Sequence, residues 1–441
     1  MRVHKSDEFT RLSLVKYAIR DLAPLAEELE AHGRTVYGLH AGDPIKHGFD
    51  IPEVLKRALI EVIEESPPSI HAYGNSSGDP ELKEAIVELE YRKSGVRPAK
   101  EDIFITIGLS EAIHNLALAL LEPGEFRTLP GPVYPLYMSH AVIADAKYNF
   151  YPVKPVVEDG GRREIDEDVL RRTAKDSNAI VVINPNNPAS YVLDYRELYK
   201  IVDVAGEYGI PIIADQIYDD ILFVDHYTHI VKIAKDVPVI VLNGFSKNFR
   251  ITGRRVGYVR FYDPEKYLPK EVKETFSRKK RNRIKYVSMD FVTTKYKFDK
   301  LLRTRISGPM IIQRAIAKAL KEYSKELWED VRRFVEVVKK RMFYGYKLLK
   351  EIEEVEITEP QGAFYLFPKI NVIKDEKCFV ISLLEKYGYY TVPGSGFGAG
   401  GEKHIRILGL AKEEILEGFA EALRKEIEYI KNVRRGSQVS A

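Results

Sequence analysis

The sequence predicts an α/β protein: a large domain with a mostly parallel sheet sandwiched by helices, joined to a smaller α+β domain. Three observations carry this expectation. Short, apolar, β-branched runs recur through the first two-thirds of the chain, each followed by a helix-patterned segment, as in parallel sheets covered on both faces. Past about residue 310 the pattern changes to long, charged helical stretches. The chain has 441 residues, 45% of them hydrophobic, which exceeds one ordinary domain. The expected division is 50–310 for the large domain, with 1–49 and 311–441 forming the small domain and an N-terminal arm.

In order, Ile103-Phe104-Ile105-Thr106-Ile107 reads as a strand feeding a helix from Ser110 to Leu120. Ala179 to Ile183 precedes a helix over Arg196 to Tyr208. Pro211 to Ala214, Val239 to Leu242 and Val256 to Phe261 read as further strands. Ile311 to Ile352 is helix-periodic, with Ala315, Ala319, Leu327, Val331, Phe334 and Val338 on one face. A strand over Gly362 to Phe367, a glycine-rich loop and a last helix from Glu413 to about Lys431 follow, and the tail Gly436 to Ala441 is expected to fray.

Composition excludes several classes. Net charge is +3, from 68 basic and 65 acidic residues, so no polyanion partner is expected overall. The basic run Arg278 to Arg283 has no aromatic stacking platform around it and reads as a solvated helix face rather than a nucleic-acid patch. No run of ~18 apolar residues suggests a membrane span, and Met1 to Asp7 lacks the apolar core of a signal peptide. The single cysteine, Cys378, is expected as a buried core thiol in a reducing, cytoplasmic setting. Abundant charge and scarce glutamine give a thermophile-like composition. The ten histidines show no metal-ligand spacing, and no metal is expected. Gly396 to Gly401 matches the dinucleotide-binding glycine pattern, but Ile405 to Leu408 reads as a strand where that motif needs a helix.

Chemistry gathers at the ends of the apolar strands, where open α/β sheets bind ligands. Lys247 ends Asn243-Gly244-Phe245-Ser246-Lys247. Alone it is an ordinary solvated lysine; partly desolvated, its amine can form an imine with an aldehyde. Asp215 ends another strand and suits either a helix cap or a partner for a protonated ring nitrogen. Tyr218 and Asn187 can hydrogen-bond a ring oxygen, or simply pack and stabilise a turn. Gly108-Leu109-Ser110 opens a helix, and with Ser246 and Arg255 it can hold a phosphate. The ligand that needs all of these groups is pyridoxal 5′-phosphate.

From about Tyr17 to Arg424 the chain resembles the fold-type I, class I/II pyridoxal-phosphate-dependent aminotransferases, near their archaeal alanine and aspartate branch. The resemblance implies that Asn187, Asp215, Tyr218, Ser246, Lys247 and Arg255 hold the coenzyme. Leu39-His40-Ala41-Gly42-Asp43-Pro44 resembles a substrate loop with Gly42 facing substrate. Tyr73, in Tyr73-Gly74-Asn75-Ser76-Ser77-Gly78, would reach the phosphate in a neighbouring subunit, implying a homodimer with shared sites. Tyr134, in Gly131-Pro132-Val133-Tyr134-Pro135-Leu136-Tyr137, would stack on the pyridine ring. Arg406, after Gly394-Ser395-Gly396-Phe397-Gly398, would grip the substrate α-carboxylate, with Asn187 beside it. The family's usual Asn-Pro-Thr-Gly is here Asn187-Pro188-Ala189-Ser190, and serine takes positive φ poorly. Arg254 replaces a residue that is often tryptophan, and the 285–303 stretch looks longer than in relatives. The implied reaction moves an amino group from an L-amino acid, alanine first and aspartate or an aromatic amino acid close behind, to 2-oxoglutarate by a ping-pong mechanism. A C–S β-lyase on the same fold is the alternative. A cofactor-sensing regulator would need a DNA-binding domain ahead of the fold.

Overall fold

The computed structural model describes residues 11–15, 17–155, 162–267 and 291–439. The basic run Arg278 to Arg283, the segment Met1 to Asp7 and the first part of the 285–303 stretch lie outside these residues; residues 291–304 are helical. No described helix is long and apolar enough to cross a membrane.

Eight strands form the main sheet, in the order Ile103–Ile107, Val256–Tyr262, Val239–Gly244, Ile212–Asp215, Ser177–Ile183, Phe126–Gly131, Lys147–Pro155, Arg163–Ile165. Pairing is parallel from Val239–Gly244 through Lys147–Pro155. Val256–Tyr262 runs antiparallel to both of its neighbours. The central strands are buried on both faces, which is why they read as unbroken apolar runs. One face packs on Glu167–Ala174 and Tyr195–Tyr208 through Leu170, Leu198 and Ile201. The other packs on Gly108–Leu120 and Leu136–Ile143 through Ile113, Leu116 and Tyr137.

A separate core gathers Leu39, Phe364, Ile407, Leu408, Leu416 and Phe419 with Phe334, Val338 and Met342. Its sheets are short: Tyr365–Leu366, Ile405–Leu408 and Val392–Pro393 pair antiparallel, while Tyr37–Gly38 pairs with Tyr389–Tyr390.

Four expectations change in detail. The 311–352 helical stretch is two helices, Met310–Glu322 and Ser324–Lys350, because Tyr323 leaves helical geometry at φ −115°. The first of these buries Ile312, Ala315 and Ile316 among side chains of Glu53–Glu65 and Pro80–Ser94. The strand expected over Gly362 to Phe367 is regular only at Tyr365–Leu366. The last helix runs Glu413–Val439, past the expected end and into the tail expected to fray. Cys378 is exposed rather than buried, because it opens the helix Glu376–Tyr387, where its N–H caps on Asp375. As expected, the strand Ile405–Leu408 follows the glycine run Gly396 to Gly401.

Candidate active site

A cavity of about 500 Å³ opens at the strand ends, between the main sheet and the smaller core. Leu109, Ser110, Tyr134, Asn187, Asp215, Tyr218, Ser246, Lys247, Arg255, Gly42 and Arg406 all line it. Four adjacent strands supply the centre: Asn187 after Ile183, Asp215, Ser246-Lys247 after Gly244, and Arg255 before Val256. Asparagine side chains lock the connecting turns. Asn186 Oδ1 accepts the Ala189 N–H at 2.9 Å, and Asn184 Oδ1 accepts that of Leu193 at 2.9 Å.

Asp215 is buried. Its carboxylate accepts the Tyr137 hydroxyl at 2.9 Å and the Ile217 N–H at 3.2 Å, bending the chain toward Tyr218. Burial raises its pKa to about 6, with those hydrogen bonds and Lys247 opposing. Lys247 donates to the Gly42 carbonyl at 2.7 Å and lies 5.7 Å from the Phe364 ring centroid. Removal from water lowers its pKa to about 8; Asp43 opposes that shift, and Arg406 and Arg255 add to it. A Cβ on Gly42 would stand 2.2 Å from the Tyr365 hydroxyl, so this closely approached backbone leaves no room for a side chain.

The Tyr218 and Tyr365 hydroxyls are 2.8 Å apart. Burial holds Tyr218 well above the usual phenol range, so it acts as a neutral donor. Tyr134 pairs with the Tyr17 hydroxyl at 3.0 Å. Arg406 is buried, with its guanidinium 4.5 Å from the Tyr365 ring centroid and 4.9 Å from that of Phe397. It donates to Asn187 Oδ1 at 3.0 Å and to the His40 carbonyl. Among the described residues its Nε has no partner and no carboxylate pairs with it. A buried guanidinium bonded only to neutral groups is prepared for an incoming carboxylate.

At the other end, Gly108 opens the helix Gly108–Leu120 at φ +67° without a side-chain cap. A Cβ there would meet Arg255 Nη2 at 2.4 Å, so Gly108 lies against the guanidinium without lining the cavity itself. Arg255 donates to the Thr252 carbonyl at 3.0 Å. An uncapped helix start, a guanidinium and the Ser110 and Ser246 hydroxyls are the donor set a phosphate dianion needs. Together with the amine, the carboxylate and the phenol, this set fits pyridoxal 5′-phosphate.

Tyr73 is not in the cavity. It is 83% exposed and lines a shallow hollow with His71, Ser307 and Met310. Ser190 takes φ 53°, so the turn keeps a left-handed residue despite lacking glycine, and its Oγ accepts the Tyr365 N–H at 3.1 Å. The cavity also contains Tyr17, Arg20, Asp43, Lys46, Thr252 and Tyr365, which sequence reasoning did not single out. Asp43, like Tyr137 behind Asp215, lay inside a motif already noted, which was the available signal.

Residues 34–423 match the family described as aminotransferase class I and II, and the chain belongs to that family. It is a pyridoxal-phosphate-dependent aminotransferase of fold type I. A glutamate-pyruvate aminotransferase, AlaA, of Haemophilus influenzae is 31% identical, covering 98% of this chain and 99% of that protein. An aspartate aminotransferase of Pyrococcus horikoshii is 30% identical, covering 93% and 94%. The solved alanine aminotransferase of Pyrococcus furiosus superposes with a TM-score of 0.81 at 36% identity, covering 95% of this chain and 99% of that one.

Proposed function

We propose that this protein moves an amino group between an L-amino acid and 2-oxoglutarate in two half-reactions, with alanine the first donor and aspartate or an aromatic amino acid close behind. The observation that carries this reading is the placing of Lys247 and Asp215 at adjacent strand ends in one cavity with Arg406, which has no counter-charge among the described residues. Relatives named glutamate-pyruvate and aspartate aminotransferase support the substrate class.

When bound, the coenzyme supplies an electron sink for the pair left at the substrate Cα. Lys247 would hold the coenzyme and, once freed, would move the proton at the substrate Cα; its depressed pKa leaves a usable fraction of free amine near neutrality. Asp215 holds the proton on the pyridine nitrogen. Tyr218 and Asn187 would donate to the ring oxygen, and Tyr134 would help hold the ring. Ser110, Ser246, Arg255 and the N–H groups of the helix start hold the phosphate. Arg406, with Asn187, takes the α-carboxylate bidentately and so selects α-amino and 2-oxo acids. The active form is a cytoplasmic homodimer in which Tyr73 reaches the partner's phosphate.

The test is an amino-donor panel with 2-oxoglutarate, followed by borohydride reduction and peptide mapping. Parallel double-reciprocal lines and a pyridoxyl group on Lys247 are expected. Converging lines, ammonia release without an acceptor, or label on another lysine would sink the reading; acceptor-free release would favour the β-lyase.

A further inference from the structure

Arg127 sits in the strand Phe126–Gly131, which pairs with Ser177–Ile183, the neighbour of Asp215's strand, on the face that packs against Leu136–Ile143. It is fully buried, and none of its three guanidinium nitrogens has a hydrogen-bond partner among the described residues. A cation withdrawn from water and unpaired is costly, so the groups around it show what its charge acts on. Among the described residues, the groups its charge bears on are Tyr137 and His140, one helical turn apart on the helix Leu136–Ile143 that packs on this face. His140 is no counter-charge: burial lowers its pKa to about 4, and its Nδ1 faces His114 Nδ1 at 3.3 Å. Tyr137 is also neutral, its phenol held well above the usual range by burial, and its hydroxyl donates to Asp215 Oδ2 at 2.9 Å.

We propose that Arg127 is a positioning residue for the Asp215 carboxylate: its unpaired guanidinium acts through the Tyr137 phenol to keep that carboxylate ionised. The cation stabilises negative charge at the phenol oxygen, which strengthens the O–H donation to Asp215 and lowers that carboxylate's proton affinity. Asp215, left to burial alone, favours its proton. The titratable groups around this relay are Tyr137 and His140 on one helix, His114 on the next, Tyr134 before them and Lys247 beside Asp215. The inference rests on the reading of Asp215 as the pyridine-nitrogen partner.

The test follows the Asp215 carboxyl by ¹³C resonance against pH in the full chain without coenzyme, assigned with Asp215→Asn. Arg127→Met is expected to raise the midpoint by about one pH unit, a tenfold change in proton affinity, and Arg127→Lys to restore it. Tyr137→Phe is expected to raise it too, and Arg127→Met made on top of Tyr137→Phe to add less than half of its single shift. An unmoved midpoint in Arg127→Met, or a full shift without the phenol, would overturn the proposal. Should Arg127→Met fail to fold, Arg127→Gln carries the same comparison. Unchanged turnover in Asp215→Asn would instead remove Asp215 from the chemistry and leave the coupling standing.

Discussion

Gly108 and Arg255 meet through the absence of a side chain: a Cβ at position 108 would stand 2.4 Å from Arg255 Nη2. Both residues have positive φ, +67° and +56°. Gly108→Ala therefore strains the helix start by ~1–2 kcal/mol and displaces the guanidinium. The coenzyme Kd, followed by fluorescence titration, is expected to rise ~10-fold or more by the ~1.4 kcal/mol-per-decade rule. An unchanged Kd would separate Arg255 from coenzyme binding.

Lys247 and Asp215 make opposite contributions to stability against pH. Lys247's folded pKa of about 8 lies below its ordinary value of 10.5, so between them the unfolded chain binds more protons and stability rises with pH. Asp215's folded pKa of about 6 lies above its ordinary 3.8, so stability falls as pH rises between those values. In coenzyme-free protein, Lys247→Met is expected to stabilise by about 3 kcal/mol at neutral pH, with the gain fading as pH rises from about 8 to 10.5. Denaturant midpoints at three pH values check this; a pH-independent gain would contradict the lowered amine pKa.

Arg406→Lys keeps the charge and loses the planar fork. Losing one charge-assisted hydrogen bond, ~1.5–3 kcal/mol, predicts a ~10–100-fold fall in kcat/KM. The fall is expected for amino acid and oxo acid alike, since both carry the α-carboxylate. An effect confined to one partner would move the clamp elsewhere.

Ser190 combines backbone strain with a hydrogen bond from Tyr365. Ser190→Ala loses the bond and keeps the strain; Ser190→Gly loses the bond and relieves the strain. Thermal unfolding should find the glycine variant more stable than the alanine variant by ~1 kcal/mol. Equal stabilities would mean that the φ of 53° is not strained.

Tyr73, exposed on a single chain, is proposed to complete the phosphate site of a second copy. Sedimentation is expected to show a dimer, and Tyr73→Phe to raise the coenzyme Kd ~10-fold, about one charge-assisted hydrogen bond. A fully active monomer would rule this out.

The main sheet was legible because its strands are buried on both faces, so their apolar runs stand out without knowledge of their partners. Asp215 and Arg255 were legible because each adjoins such a run, and Lys247 because it lies three residues past the end of one such strand. Tyr17, Arg20 and Lys46 were not: they reach the cavity from the N-terminal segment, where no strand marks their position. The break at Tyr323 was hidden because apolar periodicity continues across it: Leu327 and Val331 stay in the core that holds Ile312 and Ile316, and only from Phe334 on does the second helix join the other core. Cys378 was misjudged because a cysteine's usual burial says nothing of its place in the exposed first turn of a helix.

The antiparallel strand Val256–Tyr262 has a metrical consequence. Its reversal brings the start of a strand, and so Arg255, to the edge where its neighbours end. The strands that carry Asn187, Asp215, Ser246 and Arg255 at this edge then lie side by side, about 4.8 Å apart. The hydrogen-bond pitch of the sheet works as a ruler, setting the length of ligand the row can span. Exchanging side chains alters what each strand end grips and leaves the spacing between strands untouched.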